Sequence, residues 1–275
     1  MRPFLLFLFS IIFSGVFAQS KEYNQWVENA ANYIENNHLD SAAVALQNAL
    51  ACEPINKQNA ALLLNLGVMQ RYLRQYEDAY ISLTASLANN MDSVSVLHQR
   101  AALLCDMNRF DEAMQDYNTI LSIDSKNIEA YYRRGILFLD KKEQSKAQDD
   151  FNHAAHINPT HPFTLLSKAL IYKLNDDWTS AEKIYSRLIS HASAPNSGLY
   201  MNRAECYVNT EQFSKAATDL AVAQEKEKQN PYFYFLRGRV RLGQYDKLAA
   251  KEDFLKAELL GYDAQIVNEW LKKVK

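Results

Sequence analysis

One internal period constrains this chain more than any other feature. Ala42, Ala79, Ala113, Ala147, Ala181, Ala216 and Ala250 follow one another at intervals of 37, 34, 34, 34, 35 and 34 residues. Twelve residues before each stands a second small residue: Ala30, Gly67, Ala101, Gly135, Ala169, Ala204 and Gly238. Both positions match in all seven copies. The chain must therefore be built from one short unit used repeatedly, each copy burying its apolar side against its neighbours.

Large residues keep step with the small ones. Four before the first small position come Trp26, Leu63, Leu97, Tyr131, Leu165, Tyr200 and Tyr234. Three after it come Tyr33, Leu104, Phe138, Tyr172 and Tyr207, with Gln70 and Arg241 as departures. Offsets of four and then three put large, small and large on one helix face. A second helix repeats the arrangement, with Leu46, Leu83, Tyr117, Phe151, Tyr185, Leu220 and Phe254 four residues after the alanine. Each unit thus reads as two amphipathic helices whose small residues let the backbones approach. With 7 glycines and 6 prolines in 275 residues, both are well under their usual frequencies. That argues against a turn-rich sandwich or barrel. Apart from Pro3, the prolines (Pro54, Pro159, Pro162, Pro195, Pro231) fall at junctions between copies.

This pattern resembles the tetratricopeptide repeat family, a helix-turn-helix unit of about 34 residues. The first copy shows Trp26, Ala30, Tyr33, Ala42, Leu46, Ala49 and Pro54; the fourth shows Tyr131, Gly135, Phe138, Ala147, Phe151, Ala154 and Pro159. The copies span about 23–56, 60–93, 94–127, 128–161, 162–195, 197–230 and 231–264, within a repeat region of 19–264. The resemblance implies an all-α, right-handed superhelical solenoid of seven repeats. Gln70 and Arg241 predict less regular packing in the second and seventh copies. After the last copy, Gly261 can end a helix and Asp263 can cap the next. Ile266, Val267, Trp270, Leu271 and Val274 line one face of 265–275, which reads as a capping helix. Its alternative use is dimerisation through Trp270.

The first 18 residues, MRPFLLFLFSIIFSGVFA, have a different character. Arg2 precedes a largely apolar run from Phe4 to Phe13, and Val16-Phe17-Ala18 offers small residues where a signal peptidase reads. This predicts a secretory signal, a mature chain starting at Gln19, and export to a bacterial periplasm or beyond. The alternative is an uncleaved membrane anchor. No later stretch is long and apolar enough for a membrane span, so no stable insertion is expected after cleavage.

Net charge is -2, without the bulk basicity of a nucleic-acid binder. Cys52, Cys105 and Cys206 are scattered and odd in number, and form no metal knuckle. Arg100, Arg134, Lys168, Arg203 and Arg237 precede the small position and could align as a cationic ladder. Asp116, Asp150, Asp219 and Asp253 accompany the four arginines, whereas the lysine copy has Ile184. That pairing predicts guanidinium–carboxylate bridges inside each repeat. His153, His156 and His161 near Asp149 and Asp150 lack any zinc signature and read as surface histidines. A metal-dependent or ligand-binding role there is a remote alternative. No phosphate loop or nucleophile motif occurs, so neither an enzyme nor a cofactor is expected.

What remains is the face that the family lines toward its concave surface. Positions 4, 8 and 11 of each first helix face partner helices, and positions 2, 5, 9 and 12 point roughly 120° away. Tyr132, Ile136, Phe163, Leu166, Leu170, Met201, Glu205, Tyr232, Phe235 and Arg239 occupy that row in the later copies. The first three copies place Val27, Ala31, Leu64, Val68, His98 and Ala102 there. They lack the Lys and Asn with which the family's chaperone-tail binders grip acidic C-termini. The expectation is a non-enzymatic scaffold in the cell envelope that binds a peptide or protein on this row. The alternative is an obligate envelope subunit using its convex face or C-terminal helix.

Overall fold

A computed structural model of the chain describes residues 20–90 and 93–274. The expected signal segment, residues 1–18, lies outside the described residues. Fifteen α-helices and no strand occur among the described residues, as the periodicity predicts. They fall into two compact units divided between Lys141 and Lys142. The first holds α1 (Lys21–Glu35), α2 (Leu39–Cys52), α3 (Asn59–Tyr72), α4 (Tyr76–Asn89), α5 (Val94–Asp106), α6 (Phe110–Ile123) and α7 (Ile128–Asp140). The second holds α8 (Gln144–Ile157), α9 (Pro162–Leu174), α10 (Trp178–His191), α11 (Ser197–Asn209), α12 (Phe213–Ala223), α13 (Pro231–Gly243), α14 (Lys247–Leu259) and α15 (Ala264–Lys273). The division falls inside the fourth copy, where sequence alone predicts one uninterrupted array.

Within each unit, consecutive helices pack as hairpins, and the second helix of one pair meets the first helix of the next. The small residues do what their spacing requires. Ala30, Ala101, Ala169 and Ala204 on first helices are buried, as are Ala42, Ala79, Ala113, Ala147, Ala181, Ala216 and Ala250 on second helices. Leu46, Leu83, Tyr117, Phe151, Tyr185, Leu220 and Phe254 are all buried as well. Each such side chain contributes roughly 1.5–3 kcal/mol of burial. A Cβ on Gly67 would lie 2.6 Å from Leu83 Cγ, and one on Gly238 would lie 2.7 Å from the Phe254 ring. Glycine at those two places is a packing requirement.

First helices end in a shared turn. Asn37, Arg74, Asn108, Lys142, Asp176, Glu211 and Tyr245 all have φ between 56° and 65°. Each stands five residues before the conserved-spacing alanine of its own copy. The following amide reaches back five residues to the helix carbonyl, as in His38 N to Tyr33 O, Gln75 N to Gln70 O and Gln212 N to Tyr207 O, each 2.8 Å. These are Schellman closures built without glycine. Starts are capped by side chains: Ser20, Ser93, Asn127, His161, Asn196 and Asn230 each accept from a first-turn amide.

The two departures do not loosen their copies. Gln70 is buried and accepts a hydrogen bond from Ser82 Oγ at 2.7 Å. Arg241 donates to Ala249 O at 3.2 Å and meets Asp253 at 3.0 Å. A polar residue stands where an apolar one is expected, and a partner on the second helix satisfies it. At the C-terminus, Gly261 takes φ 96° and Asp263 caps α15 through the amides of Gln265 and Ile266, as predicted. Val267 is buried, and Trp270, Leu271 and Val274 pack on the last repeat.

Candidate functional site

The cationic ladder resolves into internal bridges. Arg100 grips Asp116 through two bonds of 2.9 and 2.6 Å. Arg203 holds Asp219 through two of 2.7 Å, and Arg237 holds Asp253 through bonds of 2.9 and 2.7 Å. The three aspartates are buried. These hydrogen bonds push each guanidinium above its ordinary range. Arg134 donates to Asn118 Oδ1 at 2.7 Å. Lys168, whose copy has Ile184 in place of an aspartate, donates to Pro159 O at 3.3 Å.

The histidine cluster and the cysteines also have local roles. His161 caps α9 and stacks on Phe163, and His156 Nδ1 bonds Asn152 O at 2.7 Å. Among the described residues, no three His, Cys, Asp or Glu side chains converge as a metal site. All three cysteines are free. Burial pushes the Cys206 thiol up to about 12 and raises Cys105 as well. Both therefore stay protonated near neutrality, where a thiolate nucleophile would be needed.

In the first unit, Tyr132 and Ile136 of α7 are half-buried, and burial raises the Tyr132 phenol. His98 of α5 bonds Asn127 Oδ1 at 3.1 Å, the same atom that caps α7 through Ala130 N. Its other ring nitrogen, Nδ1, is buried with no partner. Burial therefore holds this imidazole below its ordinary range.

The second unit carries the rest of the expected row on α9, α11 and α13. Phe163, Leu166 and Leu170 of α9 are half-buried. Proline at the first position of α9 and of α13 starts both helices without losing a needed donor. On α11, Glu205 pairs with Lys173 of α9, and Lys173 also donates to Asn202 Oδ1 at 3.2 Å. Burial and then the Glu205 carboxylate push the Tyr232 phenol of α13 upward. Arg239 lies over the Trp270 ring at 4.9 Å and donates from Nη2 to Asn209 Oδ1 at 2.9 Å.

Two residues of the row must be corrected. Met201 and Phe235 are both only 5% exposed. Phe235 stacks on Tyr262 at 4.5 Å, meets Trp270 edge-on at 5.9 Å, and tilts against Phe254 at 5.9 Å. The segment leading into α15 thus covers the position that the repeat register points outward. Met201 belongs to the core that includes Tyr207, Leu220 and Phe233. The same aromatic cluster engages Tyr232, whose ring stacks on Tyr262 at 6.1 Å. Lys173, at the twelfth position of its copy, shares the register of the row and joins it through Glu205. Tyr262 and Asn209 carry no such signal.

Comparisons with known proteins follow the same architecture. A family model described as TPR repeat matches residues 102–142. The crystal structure of a tetratricopeptide repeat protein from Parabacteroides merdae is 31% identical, covering 93% of this chain and 99% of that one at a TM-score of 0.69. A lipoprotein NlpI homolog from Haemophilus influenzae is 22% identical over 202 residues, covering 71% of this chain and 63% of that protein. DnaJ homolog subfamily C member 3 from Gallus gallus is 22% identical over 189 residues, covering 62% of this chain and 37% of that protein. The chain thus spans less than two thirds of the length of these two curated relatives.

Proposed function

The chain belongs to the tetratricopeptide repeat family, and on that footing we propose that it is a non-enzymatic scaffold of the cell envelope. It binds a peptide or protein partner on the first-helix row. The supporting observation is the accessible remainder of that row. Phe163, Leu166, Leu170, Glu205, Tyr232 and Arg239 in the second unit, with Tyr132 and Ile136 in the first, stay half-exposed while every ladder aspartate is buried. Aromatic and aliphatic side chains with sparse charge suit a partner with hydrophobic anchors. The relative named as a lipoprotein and the signal-like N-terminus support the envelope. A photo-crosslinker placed at Leu170 is expected to capture a partner in the native compartment, while one at the exposed Asn152 of α8 captures none. Equal capture at both positions, or none at Leu170, would sink the groove assignment.

A second reading, an obligate envelope subunit, has one observation in its favour. Leu248, Leu255 and Leu259 of α14 are 81%, 45% and 77% exposed. They lie roughly 160° from the Ala250 contact face at 100° per residue. At the same three positions the six earlier copies carry only polar residues or alanine. Trp270 is unsuited to this role because it packs on Phe235 and Phe254. Sedimentation of the mature protein separates the readings: a free scaffold runs as one chain, and a subunit runs in a larger assembly that Leu255→Ser disperses.

A further inference from the structure

Arginine is used in two ways in the second unit. Arg203 and Arg237 spend two donors each on a buried aspartate. Arg239 is different. Among the described residues no carboxylate pairs with it, its Nε is buried without an acceptor, and only Nη2 is engaged, by Asn209. Nothing in the repeat itself calls for a cation there. The same position in the earlier copies holds Ala31, Val68, Ala102, Ile136, Leu170 and Glu205. The charge of Glu205 is consumed by Lys173, whereas that of Arg239 is not consumed.

We propose that Arg239 receives a carboxylate of the bound partner, presented beside an aromatic or aliphatic anchor. The inference rests on the groove reading above and gives that partner its chemistry. The guanidinium is already oriented, with one face on Trp270 at 4.9 Å and one edge held by Asn209. Little ordering remains for a ligand to impose. Tyr232 and Tyr262 stack next to it and offer the apolar wall. Burial pushes the Arg239 guanidinium below its ordinary range in spite of Glu205, Tyr232 and Tyr262 nearby, the direction expected of a cation short of a counter-ion. The local charges match a single carboxylate better than a doubly charged phosphate. Lys173 and Glu205 neutralise each other, so the positive charge left over beside that pair is the single one of Arg239. A planar guanidinium takes a carboxylate through paired donors.

The test is selection of short random peptides displayed on phage against the mature protein. In one arm the peptides are tethered by their C-terminus, so that only Asp and Glu side chains are available; in the other their C-terminus is free. Wild-type protein is expected to enrich peptides with a carboxylate next to Phe, Tyr, Trp or Leu, and the arm that shows the enrichment identifies its source. Arg239→Gln, with an unchanged circular dichroism melt, should weaken the selected peptide by about tenfold or more. It should leave the uncharged amide analogue of that peptide unaffected. Enrichment of apolar peptides without a carboxylate would overturn the Arg239 assignment and leave the groove reading standing. Equal loss for the acid and the amide, or binding indifferent to Arg239→Gln, would overturn it too. Selection of no peptide at all would overturn both.

Discussion

At the scale of single residues, two kinds of glycine logic separate cleanly. Gly67 and Gly238, at the small position of their first helices, sit against Leu83 and Phe254 sixteen positions later, an approach close enough to take glycine. Gly238→Ala drives a methyl into the Phe254 ring, 2.7 Å from the added Cβ, and should cost about 1–3 kcal/mol, read as a lowered urea midpoint. The turns behave in the opposite sense. Arg74 holds φ 61° on an exposed turn, where an L side chain is strained and glycine is not. Arg74→Gly should therefore raise stability by about 1 kcal/mol. An unchanged or lowered melting temperature would contradict that. His98 supplies a pH signature. Burial holds its folded-state pKa below the ordinary value of about 6.5, although Glu129 and Asp124 act against that and only Arg133 assists. The unfolded chain then takes up the proton first. The contribution is fully present above about pH 6.5 and falls away as the pH drops through that value toward the folded pKa. The urea midpoint of the native protein should fall over that interval, and His98→Gln should flatten the fall.

At the scale of helices, the bridges between first and second helix carry the most instructive prediction. Asp219 is buried and held by two bonds from Arg203. Arg203→Ala strands that carboxylate and should cost about 2–3 kcal/mol, tempered by the partial exposure of the arginine. The double replacement Arg203→Met with Asp219→Leu should recover most of the loss, because the stranded charge is gone. Equal melting points for the single and double variants would mean that the bridge has no such role. These bridges were legible in the sequence because arginine and aspartate occur together, copy by copy, at a fixed separation of sixteen residues. The helix pairs and their buried alanines were legible for the same reason: periodicity reports local packing, while the Asp263 cap was legible from residue type, an aspartate two residues after Gly261. The row facing the partner was only half legible. Met201 and Phe235 share its register, yet they are buried by Tyr262, Trp270 and the core around Phe233. The contacts on Phe235 come from the segment leading into and forming α15, beyond the helix pairs, and those on Met201 from the neighbouring repeat's packing, which the spacing within one copy does not report. The glycine-free turns also escaped the sequence reading, since Arg74, Glu211 and Tyr245 give no compositional sign of a positive φ.

At the scale of the whole molecule, the prediction concerns where the mature chain begins and what cleavage leaves intact. Signal processing after Ala18 would release a chain starting at Gln19. The described fold opens one residue later. Ser20 caps α1 through Tyr23 N at 3.1 Å, and its own amide donates to Glu53 Oε1 at 2.5 Å. Both contacts lie beyond the cleaved bond, and the amide bond holds the Glu53 carboxylate below its usual range. Cleavage there leaves both Ser20 contacts in place. Removal of the leader should therefore leave the melting temperature of the repeats unchanged. The intact mass of protein recovered from the periplasmic fraction should match a chain beginning at Gln19. Replacing Ala18 with a bulky residue removes the small side chain that the peptidase reads, and should shift the protein to a full-length, membrane-associated form. A full-length mass for the unaltered protein in the membrane fraction would instead identify the N-terminus as an anchor. The scaffold would then work tethered to the bilayer by residues 4–13, and no helix among the described residues is long and apolar enough to take over that task.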